Sequence, residues 1–147
     1  MIPKATSCSC VSPSDPFDLA RFVRAQQPDY DRALAELRAG RKRTHWMWYI
    51  FPQMIGLGTS EMSIKYAIKD ENEAIGYLQN SLLFDHLAAV TKAIHRHVVV
   101  MNEQVLYILG SDIDVIKLKS SMPFILPFSA VVPPVLNKLI ISFSSSF

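Results

Sequence analysis

Apolar positions from Asp15 onward recur mostly at helical spacing and are punctuated by Asp, Asn, Ser, Gly and Pro, so helices are the predicted elements. Asp15 is placed to cap, Pro16 suits a first helical position, and Asp18 falls in a first turn. A helix is therefore expected from Asp15 to about Gln26, with Leu19, Phe22 and Val23 as its stripe. Tyr30, Ala33, Leu34 and Leu37 stand at i, i+3, i+4 and i+7 and predict a second helix from about Pro28 to a glycine cap at Gly40. So short a link implies an antiparallel pair.

Beyond Gly40 the pattern becomes ambiguous. In residues 41 to 52 strand alternation and helical spacing compete, and Pro52 biases Phe51 out of helical dihedrals, so any element should stop there. Gln53 to Gly58 reads as a loop. Thr59 or Ser60 with Glu61 starts a short helix to about Tyr66, and Asp70 with Glu73 caps one to about Leu78. Ser81 opens a longer helix to about His97 on the stripe Leu83, Leu87, Val90 and Ile94. Val98 to Met101 is β-branched enough for a short strand, although one strand makes no sheet. Asn102 is expected to cap a helix closed by Gly110, and Ser111 or Asp112 begins another toward Met122. Pro133 and Pro134 permit a last helix through Val135, Leu136, Leu139, Ile140 and Phe143. The predicted fold is all-α: a single irregular helical domain over residues 15 to 143, with an aromatic-rich loop segment after the second helix. Residues 1 to 14 are expected to be a disordered leader and 144 to 147 a tail.

Composition changes this picture little. With 147 residues and half of them apolar, one globular core is expected. A net charge of +2 does not argue for nucleic acid as a partner, although residues 1 to 69 carry ten Lys/Arg against six Asp/Glu and the remainder five against seven. Cys8 and Cys10 are too few and too close for a disulfide scaffold, which points to a reducing, cytoplasmic setting, and as a Cys-x-Cys pair they are an incomplete metal shell. Residues before Asp15 lack an apolar run of secretory length, so no signal peptide is expected. Met122 to Phe143 has the length of a membrane span and one charge, Lys138, but Pro123, Pro127, Pro133 and Pro134 would break its backbone bonding, so a buried segment is expected.

Candidate chemistry concentrates in residues 41 to 60. Gly56-Leu57-Gly58 before the helix start at Thr59 and Ser60 could present backbone amides to a phosphate, or be a tight turn that needs glycine. Arg41, Lys42 and Arg43 beside His45, Trp46, Trp48, Tyr49 and Phe51 combine cations with stacking faces, or place a solvated turn beside core aromatics. His45 is a candidate general acid or base or a structural hydrogen-bond donor. His86 and His97 would be about 16 Å apart on a regular helix, so they cannot share a metal, and no metal site is expected. Lys117 and Ser121 at i, i+4, with Ser120 beside them, could pair as an activated nucleophile or be ordinary polar helix positions.

The runs Asp15-Pro16-Phe17-Asp18-Leu19-x-Arg21-Phe22, Ala35-Glu36-Leu37-x-x-Gly40-x-Lys42 and His45-Trp46-x-Trp48-x-x-Phe51-Pro52-Gln53 carry a family resemblance. So do Gly56-Leu57-Gly58, Tyr66-Ala67-Ile68 and Lys117-x-x-Ser120-Ser121-Met122. Over residues 15 to 122 the chain resembles domain-of-unknown-function family 1810, whose members often bear a calpastatin-like label. The resemblance implies a small, mostly helical cytoplasmic protein of unestablished activity. The label finds no support in a chain this short, apolar and unrepetitive. Family members resemble one another at His45, Trp46, Trp48, Gln53, Gly56, Gly58, Tyr66, Lys117, Ser120 and Ser121, several of them polar. After Met122 this chain departs from the pattern, and an altered terminal segment would leave apolar surface for a homodimer.

Together these readings predict a site for a phosphate-bearing small molecule or nucleotide between the His45 to Gly58 segment and the Lys117 to Ser121 helix. Its ligand-binding residues would be Trp46, Trp48, Gln53, Gly56, Gly58, Ser60, Lys117, Ser120 and Ser121. His45 would be the proton-transfer residue if catalysis occurs, and no cofactor is specified. The alternative is a structural or protein-interaction module without catalysis.

Overall fold

The structure, a computed structural model, describes residues 15 to 121. The expectations for the leader, Cys8 and Cys10, the possible membrane segment and the last helix fall outside these residues. Within them the protein is all-α, with α1 (Ala20–Arg38), α2 (Met47–Ile50), α3 (Glu61–Lys65), α4 (Glu71–Gln79), α5 (Ser81–His95), α6 (Val105–Leu109) and α7 (Asp112–Ser121). A π-helical turn, Arg96–Val100, extends α5.

The expected antiparallel pair is one helix. Pro28 lies inside α1 without ending it. Its ring removes only the hydrogen bond to the Arg24 carbonyl, and both residues are exposed, so water can take that acceptor. The stripe meanwhile continues unbroken through Phe22, Ala33, Leu34 and Leu37, all buried, and α1 makes its main packing contact with α5. The helix also starts later than expected. Asp18 adopts a left-handed φ of 53°, yet the Asp15 carboxylate still accepts the amides of Leu19 at 2.7 Å and Ala20 at 3.0 Å.

Local capping operates where side-chain chemistry announced it. Ser60 accepts from the Ser63 amide at 3.1 Å, Asp70 from Glu73 at 2.9 Å and Asn80 from Leu83 at 3.1 Å. Glu73 does not complete a capping box. It is buried and pairs with Arg21 at 2.6 Å, while that guanidinium also donates to the carbonyls of Phe17, Asp18, Lys65 and Ala67. This network ties both ends of the α3 to α4 connection to the start of α1.

Two further expectations are corrected. Val98 to Met101 is not a strand: Val98, Val99 and Val100 continue α5 within a π turn closed by the Met101 amide on the Arg96 carbonyl, and among the described residues no adjacent strand offers a ladder. Asn102 does not cap α6. It sits at φ 56°, and the helix begins at Val105 after Gln104. The turn packs against the end of α1, where a Cβ at Gly40 would lie 2.8 Å from His97 Cε1. With φ at 80° as well, only glycine fits there.

Candidate functional site

The segment after Gly40 is organised by an acid. Glu36 lies on the buried side of α1, and its carboxylate accepts the amides of Arg43 at 2.7 Å and Thr44 at 3.1 Å, the Thr44 hydroxyl at 2.7 Å and Trp46 Nε1 at 3.0 Å. Burial alone would raise its pKa. Those donors outweigh it and hold the group at about 2. The basic turn is thereby folded back on α1, and Trp46 is carried into the core with no exposed surface.

From Trp46 the chain makes one turn of helix, so the aromatic-rich segment is not loop throughout. Met47, Tyr49 and Ile50 enter the core, whereas Trp48 projects to a half-buried position. Gln26 Nε2 donates to the Tyr49 carbonyl at 2.7 Å, and the Tyr49 hydroxyl bonds Asp29, which anchors α2 to α1. The loop after Pro52 is pinned in turn. The Ile68 amide donates to the Gln53 carbonyl at 2.8 Å, the Ile55 amide to the Ile68 carbonyl at 2.9 Å, and Met54 and Ile68 form an isolated parallel bridge.

These anchors set α2 and Gln53 against α7. Lys117 Nζ stands 4.4 Å from the Trp48 ring centroid, and Gln53 Nε2 is 3.5 Å from the Lys117 carbonyl, the long limit of a hydrogen bond. Beneath them Lys42, with its side chain 7% exposed, pairs with Asp114 at 3.0 Å and lies 5.2 Å from the Trp46 centroid. Burial lowers the Lys117 pKa most; the Asp114 charge acts in the opposite sense, and the Lys42 charge lowers it further. Asp114 is engaged by Lys42, so Lys117 rests on an aromatic face rather than on a carboxylate.

Not every candidate residue joins this face. Ser121 is fully buried, and its hydroxyl donates to the Leu118 carbonyl at 2.8 Å. Ser120 is half-buried on the same last turn of α7. His45 is exposed ahead of α2, and among the described residues no hydrogen bond or ring contact joins its side chain to Trp48, Gln53 or Lys117. Gly56 is exposed with φ 95°. Gly58 allows the chain to pass Ser63, where a Cβ would fall 2.6 Å from its hydroxyl. Ser60 is occupied in capping α3, a helix of only five residues. No group of three or more His, Cys, Asp or Glu able to hold a metal occurs among the described residues, and no helix there is long and apolar enough to cross a membrane.

Sequence reasoning missed Glu36 and Asp114. The first was signalled, since an acid at i+3 from Ala33 falls on the stripe that must be buried. For the Asp114 contact with Lys42 there was no local signal.

Fold and site together define a small helical protein with an ordered cation–aromatic face. The chain belongs to the family described as a protein of unknown function, domain-of-unknown-function family 1810, whose model matches residues 16 to 143. That match runs past Met122, where a departure from the family was expected. A similar solved protein is the conserved hypothetical protein Rv1873 from Mycobacterium tuberculosis, whose crystal structure is 40% identical, with 90% of this chain and 89% of that chain covered and a TM-score of 0.78. Comparison with curated proteins gives no match.

Proposed function

We propose that the protein binds a phosphate-bearing small molecule at the face built by Trp48, Gln53 and Lys117. The observation that carries this reading is the state of Lys117: a half-buried ammonium held 4.4 Å from an aromatic centroid, beside a side-chain amide, while the adjacent acid is taken by Lys42. An ammonium that forms no ion pair among the described residues can accept an anionic oxygen as its counter-charge, and the Gln53 amide can donate to a second one. Ser120 is half-buried on the last turn of α7, whereas Trp46 and Ser121 are buried in the core. His45 would act as acid or base only on a ligand that extends toward it. The turn at Gly56 and Gly58 and the Ser60 cap add little, because the Ser60 hydroxyl is already used and α3 is too short to present an anion site. Because Lys117 covers one face of Trp48, base stacking there is confined to whatever ring surface the cation leaves. A sugar phosphate therefore suits the face at least as well as a nucleotide.

The test is a ligand-observed NMR screen of sugar phosphates and nucleotides, followed by titration monitored by tryptophan fluorescence. Saturable binding weakened about tenfold or more by Lys117→Ala is expected, the size of one lost charge-assisted hydrogen bond. Absence of binding to the wild type, or binding indifferent to Lys117→Ala and Gln53→Ala, sinks the reading.

The rival, a protein-interaction module, is favoured by exposed apolar residues near the C-terminal end of the described chain: Val100, Met101, Tyr107, Ile113 and Ile116. Self-association is its simplest form, and sedimentation velocity across a concentration series tests it. A monomer at all concentrations removes the homodimer.

A further inference from the structure

We propose that a second concavity, between the end of α1 and the junction of α5 with the π turn, binds a small phosphate-type polyanion. This inference does not rest on the Trp48 face. The cavity has a volume of about 570 Å³, within the size range of small-molecule sites. Arg38, Lys92 and Arg96 line it together with His97, and Ala89, Ala93 and Met101 supply apolar wall. The three cations are exposed and form no ion pair among the described residues.

Cations near helix C-termini usually answer the carbonyl ends. Here several of those carbonyls are already bonded. In α1 the Ala39 amide reaches the Ala35 carbonyl, Arg41 reaches Glu36, Gly40 reaches Leu37, and His97 Nε2 lies 2.9 Å from the Arg38 carbonyl. At the end of α5 the Arg96 amide closes on Lys92 and Ala93, and the π turn then uses the carbonyls of Arg96 and His97 for Met101 and Glu103. Among the described residues Arg38, Lys92 and Arg96 make no side-chain hydrogen bond and no ion pair. Their mutual repulsion calls for a counter-charge.

Neighbouring acids do not provide it. Glu103 is bonded to His97 Nδ1, so that ring is a wall fixed at both nitrogens rather than a ligand. Asp31 and Asp85 act on Tyr30 and His86, on the preceding turns of α1 and α5. Two guanidinium groups and an ammonium supply more donors and positive charge than one carboxylate uses, and each guanidinium can bind two oxygens at once, so a phosphate-type polyanion suits them better. Gly40 is what lets the His97 ring close the wall against α1.

The probe is sodium pyrophosphate, titrated into the full-length protein and followed by backbone amide NMR, with sodium chloride at matched ionic strength as the control. Saturable shifts are expected at Gly40 and Arg96 to Met101 and should persist in Lys117→Ala; because neither tryptophan lines the cavity, any fluorescence change reports the Trp48 face and not this site. Lys92→Ala combined with Arg96→Ala should weaken binding about tenfold or more, as expected for lost charge-assisted contacts. Both side chains are exposed, and an unchanged amide spectrum elsewhere verifies the fold; Arg38→Gln provides a second, independent variant. Shifts reproduced by chloride, or binding that survives in both variants, overturn the assignment. Failure of the fluorescence titration alone bears on the Trp48 face and leaves this cavity standing.

Discussion

Trp46 and Trp48 are separated by one residue, yet the first has no exposed surface and the second lies half-buried beneath an ammonium group. On one turn of helix two positions differ by about 200° in direction, so only one of the two rings can face α1. The buried ring needs a partner for its N–H, and Glu36 supplies it. The outer ring, partly buried against the core, carries Lys117 on one face. The comparison teaches that aromatic density in this segment is two features joined end to end: a core plug with its own acid, and a surface with a cation.

The sharpest way to break that distinction is truncation of each ring. Trp46→Ala is expected to cost about 3 to 5 kcal/mol in urea unfolding, as for a large buried side chain, and Trp48→Ala about 1 to 2 kcal/mol, in line with partial burial. Equal losses would show that both rings are core. Glu36→Ala should come next at about 3 kcal/mol, because it leaves the Trp46 N–H and the Arg43 and Thr44 amides without their acceptor.

Acid should separate the two regions as well. The Glu36 carboxyl is held at about 2, below its unfolded value near 4.5, so the folded state binds the proton less readily than the unfolded chain does. Its stabilising contribution is therefore fully present above about pH 5 and is lost as the pH falls toward 2. Denaturant midpoints measured from pH 6 to 2.5 should fall in the wild type and fall less steeply in Glu36→Gln. At the outer ring the effects are smaller. Lys117→Met should change stability by no more than about 1 kcal/mol, the scale of an exposed cation–π contact, while shifting the fluorescence of the half-buried Trp48. His45→Ala, at an exposed position, should stay within about 0.5 kcal/mol in the same unfolding assay. A larger loss there would give His45 a packing role that its exposure does not suggest.

Several elements were legible because their signals are local. Ser60, Asp70 and Gly110 mark the ends of α3, α4 and α6 through bonds or dihedrals that involve only residues a few positions away. The stripe Leu83, Leu87, Val90 and Ile94 announced α5 for the same reason, and all four residues are buried. Pro28 misled because an exposed proline costs a helix one hydrogen bond that water can replace, while the stripe on the opposite side decides whether the helix continues. Val98 to Met101 misled because β-branched residues favour a strand only where another strand lies alongside. For the candidate site, Trp48, Gln53 and Lys117 stood out in the sequence, but so did Ser121 and Trp46, whose polar atoms turn inward. Residue type cannot distinguish a hydroxyl that faces solvent from one bonded to the carbonyl three residues back.

What the sequence determined by itself is the helical class, most of the helix ends and the segment in which chemistry concentrates, since these follow from periodicity and short-range hydrogen bonding. The tertiary structure alone decided which tryptophan is core, that Glu36 is the acid under the basic turn, and that Lys42 takes Asp114 and leaves Lys117 to the Trp48 face. The physical reason is that burial and ion pairing are settled between segments distant in the chain. Only when α1, α2 and α7 pack together do their charges find partners, or fail to.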